Sequence, residues 1–361
     1  MSGSISGFTG GNFGLIQELV AGATATKARL DQLIIQSSTG YVASTYARLD
    51  TATPGTAATT LTLAPQIAGI TTTIANLDVA TGRMGVQQTA LSSISKIGSN
   101  FMGQLLSIGA LTPQAMDTLA ASAKQALVQV ANLLNTKDGS IYIFGGQNSD
   151  SPPVPNPNGI ASSRFFTSIQ NAVASLASNG ATATEAATLV VASSNSPGIT
   201  PFAVGLGANP ALSQVAAGDD AMVAVGIAAN ANGFVTSAGA DTTGSYMRDI
   251  MRGLATIGSL TSGQVGNANF QGFAQATATS MGNAVTALSE DAGVLGNTQA
   301  ALATQAVNLQ QTATALTNQL AGADQVNMTS TLADLSSTQT QLQASYQLIA
   351  AMKTMSLAQY I

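Results

Sequence analysis

MTSTLADLSSTQTQLQASYQLI, residues Met328 to Ile349, decides the reading of this chain. Met328, Leu332, Leu335, Gln339, Leu342, Tyr346 and Ile349 recur at alternating steps of four and three, the repeat by which a helix lays one seam of side chains against another helix. A related pattern stands near the other end. Leu15, Leu19, Ala23, Leu30, Leu33 and Ile34 predict a helix from Leu15 to about Gln36, which Ser37-Ser38-Thr39-Gly40 interrupts. Helical patterning at both ends, around a middle that lacks it, predicts a mainly α protein. Its N- and C-terminal helices would pair antiparallel into an elongated coiled-coil rod, with a small α+β or mainly β insert domain at the tip.

A loop through Thr53-Pro54-Gly55 leads to a second long helical segment, from about Pro65 to Ile108. Ile70, Ile74, Leu77, Thr81, Met84, Gln88 and Leu91 keep the heptad. Ile94, Ile97, Phe101, Leu105 and Ile108 then crowd three-residue steps together, which predicts local overwinding. Thr112-Pro113 reads as N-cap and first turn of a helix carrying Met116, Leu119, Ala123, Leu127, Val130 and Leu134. Lys137-Asp138-Gly139 ends it, and Ile141-Tyr142-Ile143-Phe144 reads as a short strand. The proline-rich run from Ser151 to Pro157 marks a boundary. Beyond it, Arg164-Phe165-Phe166 and Met222 to Ile227 are strand candidates, with a short helix over Gln170 to Ser178. Helical pattern resumes near Tyr246, with a break at Gly263 to Gly266. The expected division is an N-terminal half of the rod over 1–150, an insert over 151–243 and a C-terminal half over 244–361.

Composition narrows the chemistry. Charged residues make up 7% and aromatics 4%, against about a quarter charged in ordinary proteins, so identical copies repel one another little. The chain has no His, Cys or Trp, which removes thiol chemistry, disulfides and the commonest general base and metal ligand. Its glutamates, Glu18, Glu185 and Glu290, stand apart, and Asp219-Asp220 in a Gly/Ala-rich loop reads as a solvated turn. No catalytic, cofactor or metal site is expected. A net charge of −5 argues against a nucleic-acid groove, and no apolar run is long enough for a membrane span. The first residues, Met1 to Gly7, lack the basic and apolar regions of a signal peptide.

Three stretches in order carry a family resemblance. Leu33-Ile34-Ile35-Gln36-Ser37-Ser38-Thr39-Gly40 resembles the helix closing in a Ser-Ser/Thr-Gly turn near the N-terminus of flagellins. Leu133-Leu134-Asn135-Thr136, then Tyr142-Ile143-Phe144-Gly145-Gly146 and Pro152-Pro153, resembles the hook-associated subfamily of the hook–filament junction. Leu342 to Gln347, followed by Ser356-Leu357-Ala358-Gln359-Tyr360-Ile361, is similar to that subfamily's final helix. There are departures. Tyr41-Val42 stands where the family has a basic residue, Thr53-Pro54-Gly55 replaces an Asp-Asp-Pro cluster, and Gly98 to Leu106 lacks the basic stretch that animal immunity senses in many flagellins.

The resemblance implies an extracellular structural subunit of the bacterial flagellum, exported without a cleaved signal peptide, with the tail from Ser2 to Asn12 suited to export recognition. Its implied partners are itself and the other axial proteins, namely the hook-side junction protein and flagellin, with an export chaperone at the C-terminal helix. The junction subfamily is favoured over filament flagellin by Tyr142 to Gly146 and the prolines after it. A secreted or phage coiled-coil fibre is a weaker alternative, and an enzyme weaker still, since Glu185 has no evident partner in sequence. The expected assembly residues are Leu15, Leu19, Leu30 and Leu33 at one end, with Leu332, Leu335, Leu342, Tyr346 and Ile349 at the other.

Overall fold

A computed structural model describes residues 9–52, 55–110, 112–218 and 221–358. The tail through Phe8, Thr53-Pro54, Asp219-Asp220 and the closing Gln359-Tyr360-Ile361 lie outside the described residues. The protein is mainly α-helical. The helices are α1 (Thr9–Thr39), α2 (Tyr46–Ala52), α3 (Thr56–Leu106), α4 (Pro113–Leu134), α5 (Arg164–Ala174), α6 (Leu176–Ser193), α7 (Tyr246–Ser259), α8 (Phe270–Asp324) and α9 (Met328–Ala358). Two antiparallel hairpins join them: β1 (Lys137–Asp138) with β2 (Ile141–Tyr142), and β3 (Ser213–Ala216) with β4 (Met222–Val225).

The chain divides into two compact units. Unit 1 holds residues Met1–Thr71 and Gln310–Ile361, and unit 2 holds Thr72–Leu309. This division cuts the sequence elsewhere than the expected thirds, and 151–243 is not set apart in it. That segment supplies Phe165, Phe166, Ile169, Val173, Phe202 and Ile227 to the same apolar core as α3, α4, α7 and α8.

In unit 1 the Ser-Ser-Thr-Gly stretch ends α1 for a stated reason. Gly40 sits at φ 77°, a left-handed conformation that side chains resist, and its N–H donates back to the Gln36 carbonyl at 2.8 Å. The chain then runs alongside the start of α9. Val42 N–H donates to the Asp324 carbonyl at 2.8 Å, and Val326 N–H donates to the Gly40 carbonyl at 2.9 Å, around an antiparallel bridge between Tyr41 and Gln325. With that junction fixed, α1 and α9 run antiparallel and pack on each other.

Unit 2 is organised by α3 and α8, also antiparallel. The Gln299 side chain donates to the Thr81 carbonyl at 2.9 Å, and a Cβ on Gly98 would come within 2.7 Å of Val285 Cγ2. On α3, burial recurs through Leu77, Ala80, Met84, Gln87, Leu91, Ile94, Gly98, Phe101 and Leu105, an unbroken alternation of three and four. The expected overwinding rested on placing Thr81, Gln88 and Ile97 in the seam. Ala80, Gln87 and Gly98 hold those places instead, so the burial pattern does not shift. The helix also starts earlier than expected, at Thr56, with Pro65 inside it.

Other elements follow their local chemistry. Thr112 Oγ1 accepts from Ala115 N–H at 3.2 Å, so α4 starts as its cap predicts, and the six apolar residues read for it are buried. Arg164-Phe165-Phe166, expected as a strand, opens α5. Ser163 caps it, and Phe165, Phe166, Ile169 and Val173 are buried at helical spacing. Of the stretch Met222 to Ile227 read as a strand, Met222 to Val225 is one, and it ends before Gly226, which sits at φ 83°. The strand expected from Ile141 to Phe144 is only two residues long, and Ile143 and Phe144 turn inward instead.

At the centre of unit 2 lies α7, every residue of which is buried, packed on α4, α5 and α6. Its apolar side carries Ile250, Met251, Leu254 and Ile257; its other side carries Arg248, Asp249 and Arg252. An amphipathic helix ordinarily turns its charged side to water. Here residues 230–245, α6 and α8 provide polar partners for it.

Two polar residues inside the helical seams stitch loops to the helices. The Gln87 amide donates to the Ile143 and Ile227 carbonyls and accepts from Ile227 N–H at 3.1 Å. Asp291 accepts from Gly233 N–H, Phe234 N–H and the Tyr246 hydroxyl, each at 2.7 Å. Gln87→Leu leaves two carbonyls and one N–H unpaired in the interior. We expect a loss on the order of 3 kcal/mol from the unit 2 transition in denaturant melts. A change below about 0.5 kcal/mol would show that those groups find other partners.

Candidate assembly surface

The pairing of α1 with α9 places the residues singled out from sequence. On α1, burial or half-burial recurs at Leu19, Ala23, Thr26, Leu30, Leu33 and Ser37. On α9 it recurs at Thr331, Leu335, Thr338, Leu342, Ser345 and Ile349. Both series alternate four and three, the spacing of side chains meeting across two helices. Of the nine expected assembly residues, Leu33 and Leu342 are buried, and Leu19, Leu30, Leu335 and Ile349 are half-buried, so six lie in the shared seam. Leu15, Leu332 and Tyr346 are exposed and lie off it.

The reason is the size of the seam residues. The sequence reading followed the largest apolar side chains and landed one residue late at Leu332, Gln339 and Tyr346. Thr331, Thr338 and Ser345 stand in the seam. Sequence reasoning missed these three, along with Thr26 and Ser37. The available signal was the strict spacing itself, followed through hydroxyl residues whose small side chains let helices approach closely.

Small seam residues bury little area, at roughly 25 cal/mol per Å². Among the described residues of unit 1, six apolar side chains are buried: Ala23, Leu33, Leu49, Leu63, Ala313 and Leu342. Eleven large ones are exposed, among them Leu15, Val20, Ile34, Ile35, Leu61, Leu332, Tyr346 and Leu348. Scattered exposed leucines are ordinary in proteins; an excess of exposed over buried large apolar residues within one compact unit is not.

Unit 2 holds the other candidate, a cluster of buried charge around α7. Arg252 faces Glu185 Oε1 at 3.3 Å and Asp249 Oδ1 at 3.9 Å, and donates to the Asp241 carbonyl at 2.7 Å and to Ser280 Oγ. Asp249 accepts from Thr242 Oγ1 at 2.6 Å and Thr243 N–H at 3.0 Å. Arg248 has carbonyl partners: it donates to Ala192, Ser194 and Asn230, with its guanidinium carbon 5.2 Å from the Phe202 ring centre. Ala192 and Ser194 lie at the C-terminal end of α6, where the helix dipole favours a cation. Glu185 therefore has the partners that sequence could not supply, Arg252 and Thr277. These groups hold α6, α7, α8 and the 230–245 loop together.

Burial pushes the Glu185 carboxyl above its ordinary value of 4.5, and the Arg252 charge only partly draws it back. Burial likewise raises Asp249, against the pull of its hydrogen bonds from Thr242 and Thr243. A carboxyl raised in this way binds its proton more tightly folded than unfolded. Its contribution to stability is fully present below the unfolded value and is lost as pH climbs through the folded one. Unit 2 is therefore expected to melt higher as pH falls from 7 toward 5, and Glu185→Gln to flatten that slope. Calorimetry over this range checks it; an unchanged slope in the variant would remove Glu185 from the account.

No protein-family model matches the chain, and no curated protein matches it in sequence.

Proposed function

We propose that this chain is a self-assembling structural subunit of the bacterial flagellum, related to the flagellins and most like the hook–filament junction protein. One observation carries the proposal beyond the sequence resemblance: in unit 1 the two ends of the chain pair through a seam half of whose residues are Ala, Thr or Ser, and leave more large apolar side chains exposed than buried. Such a unit gains stability when neighbouring copies cover it, by mass action. On this reading α1 and α9 form an antiparallel coiled-coil rod, and the tip insert expected over 151–243 belongs to the same proposal. The protein acts outside the cell, reached by flagellar export, among hook-side and filament proteins. Its function is geometric, with no substrate turned over.

Electron microscopy of the purified chain after salt-induced assembly tests this. Long filaments would make it a filament flagellin. Small oligomers, or monomers that add only to isolated hook ends, support the junction subunit. A folded chain that associates neither with itself nor with hook ends overturns the proposal.

A further inference from the structure

Asparagine is followed by glycine three times in the chain, at Asn158-Gly159, Asn179-Gly180 and Asn232-Gly233. In such a pair the glycine nitrogen can attack the side-chain carbonyl carbon of the asparagine, because no Cβ crowds it and the backbone turns freely. A bond forms between that nitrogen and Cγ, and the Cγ–Nδ2 bond breaks. The glycine N–H proton ends on the departing ammonia, leaving a five-membered succinimide. Water then opens the ring at one carbonyl or the other, to aspartate or isoaspartate. Water is the one co-reactant, and nothing is oxidised or reduced.

The fold treats the three pairs differently. Asn232 is held on every side: its Nδ2 donates to the Val235 carbonyl at 3.0 Å and to Ser237 Oγ at 2.9 Å, and its Oδ1 accepts from Tyr246 N–H at 3.0 Å. The nitrogen that would attack, Gly233 N–H, donates to Asp291 Oδ2 at 2.7 Å. At the second pair, Gly159 N–H donates to Asn156 Oδ1 at 3.1 Å, and Asn158 Oδ1 accepts from Asn132 Nδ2 at 3.3 Å. The Asn156 side chain lies so close over Gly159 that a Cβ there would not fit. Asn179 is exposed, and its Oδ1 accepts from the adjacent Ser178 hydroxyl at 3.3 Å. A Cβ on Gly180 would meet nothing beyond its own helix within 4 Å, so the site has room for a ring. Gly180 also sits at φ 81° and ψ 172°, which splits α6 into a single turn, 176–179, and a longer stretch, 181–193. The single turn hangs on the Ser175 carbonyl, which accepts from Ser178 N–H at 3.1 Å and Asn179 N–H at 2.9 Å. One turn has little stability of its own, so the movement that brings nitrogen to Cγ costs little there.

We propose that Asn179 is a site of spontaneous deamidation, to which the fold directs the reaction and from which it withholds Asn158 and Asn232. The same break in α6 lets the chain tolerate the product. The extra backbone carbon of isoaspartate falls where the helix is already interrupted. An aspartate at 179 stands just before the stretch 181–193, whose first turn, Ala181-Thr182-Ala183-Thr184, carries no acid, and a helix start favours negative charge. Each conversion takes the net charge of −5 one unit further negative, on a chain of which only 7% is charged. Modified copies therefore repel one another more than fresh ones do. The inference is independent of the flagellar reading.

The test follows all three asparagines by peptide mass mapping while the full-length protein ages in mildly alkaline buffer, once folded and once in urea. In the folded chain Asn179 is expected to convert at least about tenfold faster than either other site, since reacting atoms held out of line by an ångström lose about 100-fold in rate. In urea the three rates should come together to within a few-fold. Conversion of Asn158 or Asn232 as fast as Asn179 in the folded chain, or no conversion there at all, overturns the proposal. So does the same preference for Asn179 in urea, which would assign the selection to neighbouring residues rather than to the fold. Asn179→Gln should abolish the acidic species that isoelectric focusing of the aged protein reveals; its persistence places the reaction elsewhere. Asn179→Asp should keep the wild-type circular dichroism and melt at or above the wild type. A clear fall in its melting temperature overturns the claim that the break in α6 accommodates the charge.

Discussion

Arg252→Ala is expected to destabilise unit 2 by about 3–5 kcal/mol, because it leaves two buried carboxylates, Glu185 and Asp249, without their cation. For a unit of this size that corresponds to a fall in melting temperature of roughly 10 °C. The loss is one of compensation for charge rather than of packing alone, and a companion variant separates the two. Arg252→Met with Glu185→Gln removes a charge of each sign and keeps most of the volume. It should recover much of the loss, since replacing a buried pair by neutral groups is often tolerated where breaking it is not. Differential scanning calorimetry of both variants decides the matter. If the double variant is no more stable than Arg252→Ala, then the hydrogen bonds of Arg252 to the Asp241 carbonyl and Ser280 outweigh its pairing with Glu185.

The second large effect belongs to the seam. Leu342 is buried and Ile349 half-buried where α9 meets α1. Leu342→Asp with Ile349→Asp puts two carboxylates into a contact made of leucine, alanine, threonine and serine side chains, with no cation among the described seam residues to pair them. Each buried, unpaired charge costs several kcal/mol unless it takes up a proton. The α1–α9 pair is expected to open, with loss of helical circular dichroism. Under the proposed function, incorporation into flagella and motility go with it. Export and incorporation must be scored separately, because a chain that fails to leave the cell would also fail to swim. Normal motility in this variant would count heavily against the packing role of the seam.

The contrast between Leu342 and Leu332 shows how far the sequence was legible. The heptad spacing gave the pairing helices at both ends, and six of the nine residues expected from it lie in the seam, because spacing depends only on the helical repeat. The phase was harder. Leu332 and Tyr346 look like seam residues by size, while Thr331, Thr338 and Ser345 do not. A reading that weighs apolarity follows the larger side chains onto the flank. The same substitution of size for position misplaced Thr81, Gln88 and Ile97 on α3, where Ala80, Gln87 and Gly98 are buried. Arg164-Phe165-Phe166 was misread because two aromatics in a row suggest a strand. Ser163 as a cap, with Ile169 and Val173 following at helical spacing, was the signal for α5. The charge cluster was out of reach for another reason. Glu185 meets Arg252 and Thr277 only after residues 151–243 fold into unit 2, and no local pattern encodes a contact between distant parts of the chain.

The antiparallel contact of Thr81 with Gln299 bears on the order in which the chain folds. Leu33 and Thr331 must meet across nearly the whole length of the sequence, and closing so long a loop carries an entropic cost that grows with the logarithm of its length. Once α3 and α8 are clasped at Thr81 and Gln299, the open path between Leu33 and Thr331 shrinks by more than two hundred residues. The closure then becomes easier by about 1 kcal/mol, or several-fold in rate. Unit 2 should therefore gain protection from hydrogen exchange first during refolding. The two ends of the chain should zip together last and be the first to come apart.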